Sequence, residues 1–258
     1  MLKFCANLSM LFNEMDFLDR FEAAAGAGFK GVEYQFPYGY DKELLAERLQ
    51  RYGLTQVLHN LPPGDWEGGE RGIACLPDRT GEFQESVGLA IEYAIALDCP
   101  QVNCLAGIVP RDANANTVST TLIDNLEFAA NELSHAGIRL LVEPINTRDV
   151  PGFYLNGTRQ AADIMDTVRS DNLALQYDVY HMQIMEGDLT PTIDRLIERI
   201  AHFQVADNPG RHEPGTGEIN YPFVFDFIDK LGYNGWIGCE YRPATTTLEG
   251  LGWLDPYL

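Results

Sequence analysis

The sequence lacks the marks of a secreted or membrane-spanning chain. Its N-terminal segment is interrupted by polar residues and has neither the apolar stretch nor the cleavage site of a signal peptide. No run of about 18 apolar residues occurs, so no membrane helix is expected. The five cysteines are scattered, without a CxxC pair, which is typical of reduced thiols rather than of a disulfide framework. We therefore expect a cytoplasmic protein with free cysteines and no membrane contact.

Positive charge is also scarce. Lysine and arginine number 18 against 38 aspartate and glutamate residues, which gives a net charge of −20 with neutral histidine. The chain has no basic cluster, and a negative protein repels the phosphate backbone. These features exclude nucleic acid as an expected partner, but net charge alone says nothing about catalysis.

What the sequence does contain is a regular alternation of two patterns. Short β-branched or aromatic runs alternate with longer segments of helical spacing from one end to the other, which is typical of βα units. The predicted strands, eight in number, are Lys3–Asn7, Gly31–Gln35, Thr55–His59, Gln101–Leu105, Arg139–Glu143, Ala174–Asp178, Ala201–Val205 and Trp236–Glu240.

The segments between these strands carry helix start and stop signals. Thr158 is placed to cap one helix and Pro222 to begin another, while Gly28, Gly53 and Gly137 end helices just before strands. No composition break divides the chain, and no glycine-rich phosphate loop follows the first strand. A single-domain (β/α)8 barrel is therefore favoured over a doubly wound sheet, since such barrels use about 250 residues.

Two segments depart from this regular pattern. Residues 61–81 are rich in proline, glycine and charge, contain Trp66, and lengthen the connection after the third strand. At a barrel mouth this loop is either a lid over a ligand or an ordinary solvated connection. The tail at 245–258, with Trp253 and Tyr257, either seals the barrel or contacts another subunit of a homo-oligomer.

Polar side chains end the last four predicted strands. These residues are Glu143, Asp178, Gln204 and Glu240. Side chains at the carboxyl ends of barrel strands converge on one mouth, where three buried carboxylates would repel one another unless a cation lay among them. Because all four residues offer oxygen, they favour Mg²⁺ or Mn²⁺ over Zn²⁺.

The alternative to a metal is that these acids pair with arginine. The candidates are Arg148, Arg195, Arg199 and Arg242, the last of which stands two residues after Glu240. Spacing alone leaves this alternative open.

Three further residues are candidates for substrate binding. His181 follows the sixth strand, and lies on the same side as that strand's final acid if the chain turns helical there. Arg211 follows the seventh strand, and His59 ends the third. A guanidinium can grip a substrate carboxylate with two hydrogen bonds, and an imidazole can hydrogen-bond a carbonyl or enolate oxygen. His135 and His202 are expected to be structural.

Several of these strand ends stand in recognisable motifs. They are LLVEP around Glu143, YDVYH from Tyr177 to His181, HFQVAD around Gln204, RHEPGTGE at 211–218 and GCEY around Glu240. The pattern resembles the hydroxypyruvate isomerase family of the xylose-isomerase-like barrels, and is most similar to its 2-oxo-tetronate isomerase branch. The resemblance covers nearly the whole chain, and RHEPG-x-GE is its most specific motif.

The resemblance implies both a metal site and a reaction. Mg²⁺ or Mn²⁺ would be held by Glu143, Asp178, Gln204 and Glu240, and the two glutamates would exchange protons with the substrate. The implied substrate is a small anionic sugar acid. A carbonyl would move through an enediolate, from 2-oxo-tetronate to 3-oxo-tetronate or from hydroxypyruvate to tartronate semialdehyde. Related sugar epimerases carry histidine where Gln204 stands, so the amide fits the hydroxypyruvate isomerase pattern.

Three other functions are alternatives to this isomerase. A metal-dependent epimerase or isomerase of neutral ketoses shares the chemistry but does not need Arg211. A non-catalytic barrel would bind a sugar acid without exchanging its protons. An endonuclease-like relative is disfavoured, because it would need several histidine ligands and a basic groove in a chain of charge −20 with five histidines.

Overall fold

The chain folds into a closed barrel of eight parallel strands in sequential order, in a computed structural model that describes residues 1–257. The strands are β1 (Lys3–Asn7), β2 (Gly31–Glu33), β3 (Thr55–Asn60), β4 (Gln101–Cys104), β5 (Arg139–Val142), β6 (Leu173–Asp178), β7 (Ile200–Val205) and β8 (Trp236–Cys239). Strand β8 pairs with β1 and closes the barrel. The predicted single-domain (β/α)8 fold is confirmed, and every predicted strand is present with its ends shifted by at most two residues.

Helices surround the barrel. They are α1 (Arg20–Gly26), α2 (Lys42–Tyr52), α3 (Thr80–Ala96), α4 (Ala115–His135), α5 (Thr158–Val168), α6 (Val179–Met185), α7 (Leu189–Leu196) and α8 (Tyr221–Lys230). Short 3-10 turns occupy Phe17–Asp19, Pro77–Arg79, Ile197–Arg199 and Glu249–Tyr257. Across residues 1–257, no helix combines the length and apolar character needed to cross a membrane. The five cysteines are free and buried, as predicted.

The helix ends follow the sequence signals with one exception. Gly53 ends α2 in the left-handed conformation, and Pro222 lies in the first turn of α8. Thr158, predicted to be a cap, is instead the first residue of α5. Its backbone N–H and its hydroxyl donate to the carboxylate of Glu186, at 2.6 and 2.8 Å. A carboxylate just beyond α6 therefore satisfies the start of α5, where negative charge also suits the helix dipole.

The C-terminal tail, described as far as residue 257, packs on the outside of the barrel of its own chain. The rings of Trp253 and Tyr257 lie 5.4 and 5.2 Å from the ring of Phe4 on β1, measured between centroids. Both also contact Phe225 of α8. Aromatic packing therefore holds Trp253 and Tyr257 against β1 and α8.

The long loop at 61–81 is folded against the barrel mouth. The Trp66 ring packs on Phe36 with centroids 4.8 Å apart, and the Arg71 guanidinium lies 3.9 Å from the centroid of the Trp66 ring. Arg71 donates to the backbone oxygens of Trp66 and Glu70. Trp66 and Arg71 thereby form one wall of the mouth, and motion of this loop as a lid stays a prediction.

Gly72 joins this loop to the barrel, and we predict that it does not tolerate a side chain. Its φ is 101°, and a Cβ there would lie 2.2 Å from the backbone oxygen of Leu105. Gly69 has a similar φ of 98°, but a Cβ there would meet no atom within 4 Å. Both alanine variants carry strain of about 1–3 kcal/mol from positive φ, whereas Gly72→Ala adds a clash of about 1–3 kcal/mol.

Thermal unfolding followed by circular dichroism tests this difference. The unfolding midpoint of Gly72→Ala should fall clearly below that of Gly69→Ala. Equal midpoints would show that the loop moves aside freely at Gly72.

Candidate active site

The mouth at the carboxyl ends of the strands holds a cavity of about 900 Å³. Loops following most of the strands contribute to its wall. Among the lining residues are Asn7, Gln35, Asn60, Leu105, Glu143, His181, Gln204, Arg211 and Glu240. This is where side chains from different barrel strands meet, so the cavity is the candidate active site.

Four side chains form a compact cluster at this mouth, and three of them, Glu143, His181 and Glu240, line the cavity. Glu143, Asp178, His181 and Glu240 are buried, and each offers an atom within 4.8 Å of the others. Glu143 and Glu240 directly follow β5 and β8, and Asp178 ends β6. The carboxylate of Asp178 accepts the N–H groups of Tyr180 and His181 at the start of α6. The chain therefore turns helical after Asp178 as expected, which brings His181 back to the acids.

Glu143, Asp178 and Glu240 are called the acid cluster below. Burial raises the pKa of all three acids. Burial raises the pKa of Glu143 well above its usual value, and the charges of Glu240 and Asp178 raise it further. Burial raises the pKa of Asp178 to about 7, although Arg211 opposes the shift. Burial also raises the pKa of Glu240 against the same opposition. The acid cluster is therefore short of positive charge.

Arg211 is the arginine that reaches the acid cluster. Its Nη2 donates to Glu240 Oε2 at 2.6 Å and lies 3.8 Å from Asp178 Oδ2. The arginine alternative named four other residues, and none of them pairs with these acids within residues 1–257. Arg148 pairs with Asp149, and Arg199 pairs with Asp166. One guanidinium thus faces three carboxylates, which leaves the repulsion only partly compensated.

The donor chemistry of the site fits a divalent cation. Asp178 Oδ2 and Gln176 Oε1 are buried and have no hydrogen-bond partner within residues 1–257. Buried acceptors are ordinarily paired, so the unpaired carboxylate oxygen of Asp178 within the acid cluster supports a positive ligand there. The oxygen atoms available match the preference of Mg²⁺ and Mn²⁺.

Gln204 lies beside the acid cluster, with its amide held at both ends. It is opposite Asp178 in the pairing of β6 with β7. Its Nε2 donates to Glu33 Oε1 at 2.8 Å, and its Oε1 accepts from Gln176 Nε2 at 2.6 Å. The carboxylate of Glu33 therefore attracts the nitrogen end of the amide and directs the oxygen away from itself.

Glu33 is a site residue that the sequence reasoning missed. It is buried inside the barrel, accepts from Asn7 Nδ2 at 2.9 Å, and lies 2.7 Å from His202 Nε2. Burial alone would raise the pKa of Glu33, but His202 and the amide donors outweigh it and lower the pKa. A Cβ at Gly238 of β8 would lie 2.4 Å from Glu33 Oε1, so this glycine makes room for the carboxylate. His202 is thus a buried partner of Glu33.

His181 faces the acid cluster through its Nε2. This atom lies 3.5 Å from Asp178 Oδ2 and 3.9 Å from Glu143 Oε1. Burial lowers the pKa of His181 well below its usual value, and the charge of Arg211 lowers it further. The imidazole is therefore neutral at physiological pH, which suits it to hydrogen bonding rather than to carrying charge.

His59 does not line the cavity, so its predicted role in substrate binding is wrong. Its ring packs edge-on against Tyr38, and Nδ1 lies 3.3 Å from the Tyr38 hydroxyl. Successive side chains on a strand point to opposite faces, so Asn60, the next residue, lines the cavity instead.

The matched family model is described as a xylose isomerase-like TIM barrel and covers residues 21–257. The chain belongs to this family. It is 56% identical over 257 residues to a hydroxypyruvate isomerase of Escherichia coli, with 100% of both chains covered. It is 50% identical over 258 residues to a 2-oxo-tetronate isomerase of Cupriavidus necator, with 100% and 99% covered. The family resemblance drawn from the strand-end motifs is confirmed.

Two solved structures share this fold. A protein of Brucella melitensis described as an AP endonuclease of family 2 is 46% identical, with a TM-score of 0.98 over 100% of this chain and 99% of that one. A 3-keto-D-glucoside 4-epimerase of E. coli has a TM-score of 0.82 over 99% of each chain, at 18% identity. The second comparison shows the shared fold alone.

The raised pKa of Asp178 predicts a pH-dependent stability of the metal-free protein. The usual pKa is about 3.9, so between about pH 4 and pH 7 the folded state binds more protons than the unfolded state. Stability is therefore lost as the pH rises through this range, because the carboxylate must ionise while buried. Asparagine retains the helix cap and removes this cost.

The comparison uses thermal unfolding in the presence of a chelator. The midpoint of Asp178→Asn should exceed that of the wild type by a margin that grows from about pH 5 to about pH 8. The exposed Asp171→Asn is the matched control. If the difference between the two midpoints did not change with pH, the raised pKa of Asp178 would be refuted.

Proposed function

We propose that the protein is an isomerase that moves the carbonyl group of a short hydroxy-2-oxo acid to the neighbouring carbon. The reaction is 2-oxo-tetronate to 3-oxo-tetronate, or hydroxypyruvate to tartronate semialdehyde. Full-length relatives bearing these two activities in their names support the proposal. The observation that carries it is the buried acid cluster beside a cavity that Glu143, Glu240, His181 and Arg211 line together.

The proposed cofactor is Mg²⁺ or Mn²⁺. Glu143, Asp178, Gln204 and Glu240 would hold it, and the unpaired Oδ2 of Asp178 supports this assignment. When bound, such an ion supplies positive charge that stabilises the negative charge developing on the substrate oxygen.

Glu143 and Glu240 are the proposed acid–base pair. One carboxylate takes the proton from the carbon beside the carbonyl, which gives an enediolate, and a glutamate returns a proton to the former carbonyl carbon. The hydroxyl proton is lost as the new carbonyl forms, and a proton is gained by the old carbonyl oxygen. Burial raises the pKa of both glutamates, which brings them toward the pH at which a group can both accept and release a proton.

Arginine side chains in the cavity support an anionic substrate over a neutral sugar. Arg211 is the proposed clamp for the substrate carboxylate, and its Nε is buried without a partner within residues 1–257. Arg71, Arg148 and Arg242 also line the cavity. A neutral ketose would leave these charges unused, which makes the epimerase alternative the weaker candidate.

The cell compartment and the assembly state are predictions that follow from the sequence. Five buried free thiols support a reducing compartment, and a cytoplasmic location is proposed on that ground. A homo-oligomer stays a prediction to be checked by light scattering.

Glu143→Gln and Glu240→Gln should each abolish isomerisation without disturbing the fold. Glutamine keeps the shape of the side chain but cannot exchange the proton, and general acid–base catalysis contributes roughly 10²- to 10⁴-fold. The rate is measured by proton NMR in deuterated water as carbonyl migration and loss of the carbon-bound proton. The exposed Glu85→Gln is the control, and full activity in both site variants would refute the acid–base assignment.

Removal of metal should stop the reaction. Chelator-treated protein is incubated with hydroxypyruvate, with 2-oxo-tetronate and with a neutral ketose, before and after addition of Mg²⁺ or Mn²⁺. We expect turnover of an oxo acid that returns with either ion, and the faster acid identifies the carbon number. Turnover of the ketose alone would support the epimerase, and ligand binding without proton exchange would support a non-catalytic barrel.

A further inference from the structure

Asn146, in the loop after β5, holds the ring of His181 from the side away from the acid cluster. Its Nδ2 lies 2.6 Å from His181 Nδ1, and both residues are buried. Asn146 lies outside both the strand-end positions and the family motifs.

The orientation of the Asn146 amide is fixed by its own loop. The backbone N–H of Asp149 donates to Asn146 Oδ1 at 2.7 Å, and a backbone N–H bonds only to an acceptor. The other end of the amide is therefore the NH2 group, which also donates to Asp149 Oδ2 at 3.1 Å. The carboxylate of Asp149 is held in turn by the Tyr180 hydroxyl at 2.8 Å.

This orientation determines where His181 carries its proton. An amide NH2 group has no lone pair to offer, so His181 Nδ1 must be the acceptor in this hydrogen bond. In a neutral imidazole the single proton is then on Nε2. Burial lowers the pKa of His181, which is consistent with a neutral ring.

The protonated Nε2 is the atom that faces the acid cluster. By distance alone His181 qualifies as a fourth metal-ligating group beside Glu143, Asp178 and Glu240. A ring nitrogen that carries a proton has no lone pair for a cation, yet it donates well to a negative oxygen.

We propose that Asn146 is a positioning residue that keeps the proton of His181 on Nε2, so that His181 donates a hydrogen bond to a substrate oxyanion and does not ligate metal. The oxyanion belongs to the enediolate class of the isomerisation proposed above, on which this part of the inference rests. The assignment of the tautomer rests on the contacts of Asn146 and is independent of that reaction.

Nitrogen-15 NMR of the histidine side chains tests the tautomer without any turnover. His181 is one of five histidines, and its signals are identified by their loss in His181→Gln. The protein is measured with chelator and again with excess Mg²⁺. We expect protonated Nε2 and unprotonated Nδ1 in both states. A proton on Nδ1, or loss of the Nε2 proton when Mg²⁺ is added, would overturn the proposal.

Variants of Asn146 test its role directly. In Asn146→Asp the carboxylate can only accept, so His181 should place a proton on Nδ1. In Asn146→Ala the preference for Nε2 should weaken. Asp149→Ala is the matched control, because it loosens the same loop but keeps the backbone N–H that orients Asn146, and its tautomer should not change. An unaltered tautomer in both Asn146 variants would refute the positioning role.

A kinetic cycle connects the tautomer to the reaction. Removal of one donor to a developing oxyanion costs roughly 10²- to 10³-fold in kcat, so we expect Asn146→Asp, which disturbs this donor, to lower kcat by up to this factor with a smaller change in KM. In the His181→Gln background the same substitution should have little further effect. Equal losses in both backgrounds would show that Asn146 does not act through His181. An inactive wild type would refute the proposed function but leave the NMR result standing.

Discussion

The site depends on one electrostatic constraint, which is that three buried carboxylates meet at the barrel mouth and, within residues 1–257, only the Arg211 guanidinium pairs with them. Each anion loses most of its hydration, and each raises the cost of ionising the others. The barrel makes this arrangement unavoidable, because the ends of β5, β6 and β8 are fixed around one opening by the closed sheet. The three carboxylates repel one another, but the hydrogen bonds and packing of the barrel keep them together.

Hydrogen bonds from neutral amide side chains offset part of the cost of burying these carboxylates. Asn103 Nδ2 donates to Glu143 Oε2 at 2.9 Å, and Gln35 Nε2 donates to Glu240 Oε1 at 3.1 Å. Asn7 bridges Glu33 and Glu240. Amide donors hold the carboxylates in place without the full charge that would bind them permanently, so the acids keep the capacity to exchange protons or to bind a cation.

The sequence predicts the acid cluster well because barrel geometry brings strand ends together whatever the loops do. The short β-branched or aromatic runs locate the ends of β5 to β8 to within a residue, and Glu143, Asp178 and Glu240 are the acids at the ends of three of these runs. The same reasoning was wrong for His59, because the direction of its side chain depends on the pleat of β3. A shift of one residue changes the face on which a side chain lies.

Other features depend on contacts that span long distances in the chain. Glu186 caps α5 from 28 residues away, and Glu33 meets His202 across 169 residues. Arg211, rather than any of the four arginines considered as partners, reaches the acids because its loop folds back over the mouth. Spacing along the sequence carries no information on such pairs, since each depends on how two separate loops or strands meet.

The net charge of −20 is compatible with an anionic substrate. Repulsion by surface charges and attraction by the cavity arginines act over different distances. Exposed surface charges are screened over about 8–10 Å at physiological salt, whereas buried groups in contact with a ligand are screened much less. A substrate carboxylate therefore responds chiefly to the cavity arginines. The acid cluster would still repel it at close range unless Arg211 and a cation offset the acids, so the same positive charge that relieves the buried carboxylates also admits the substrate.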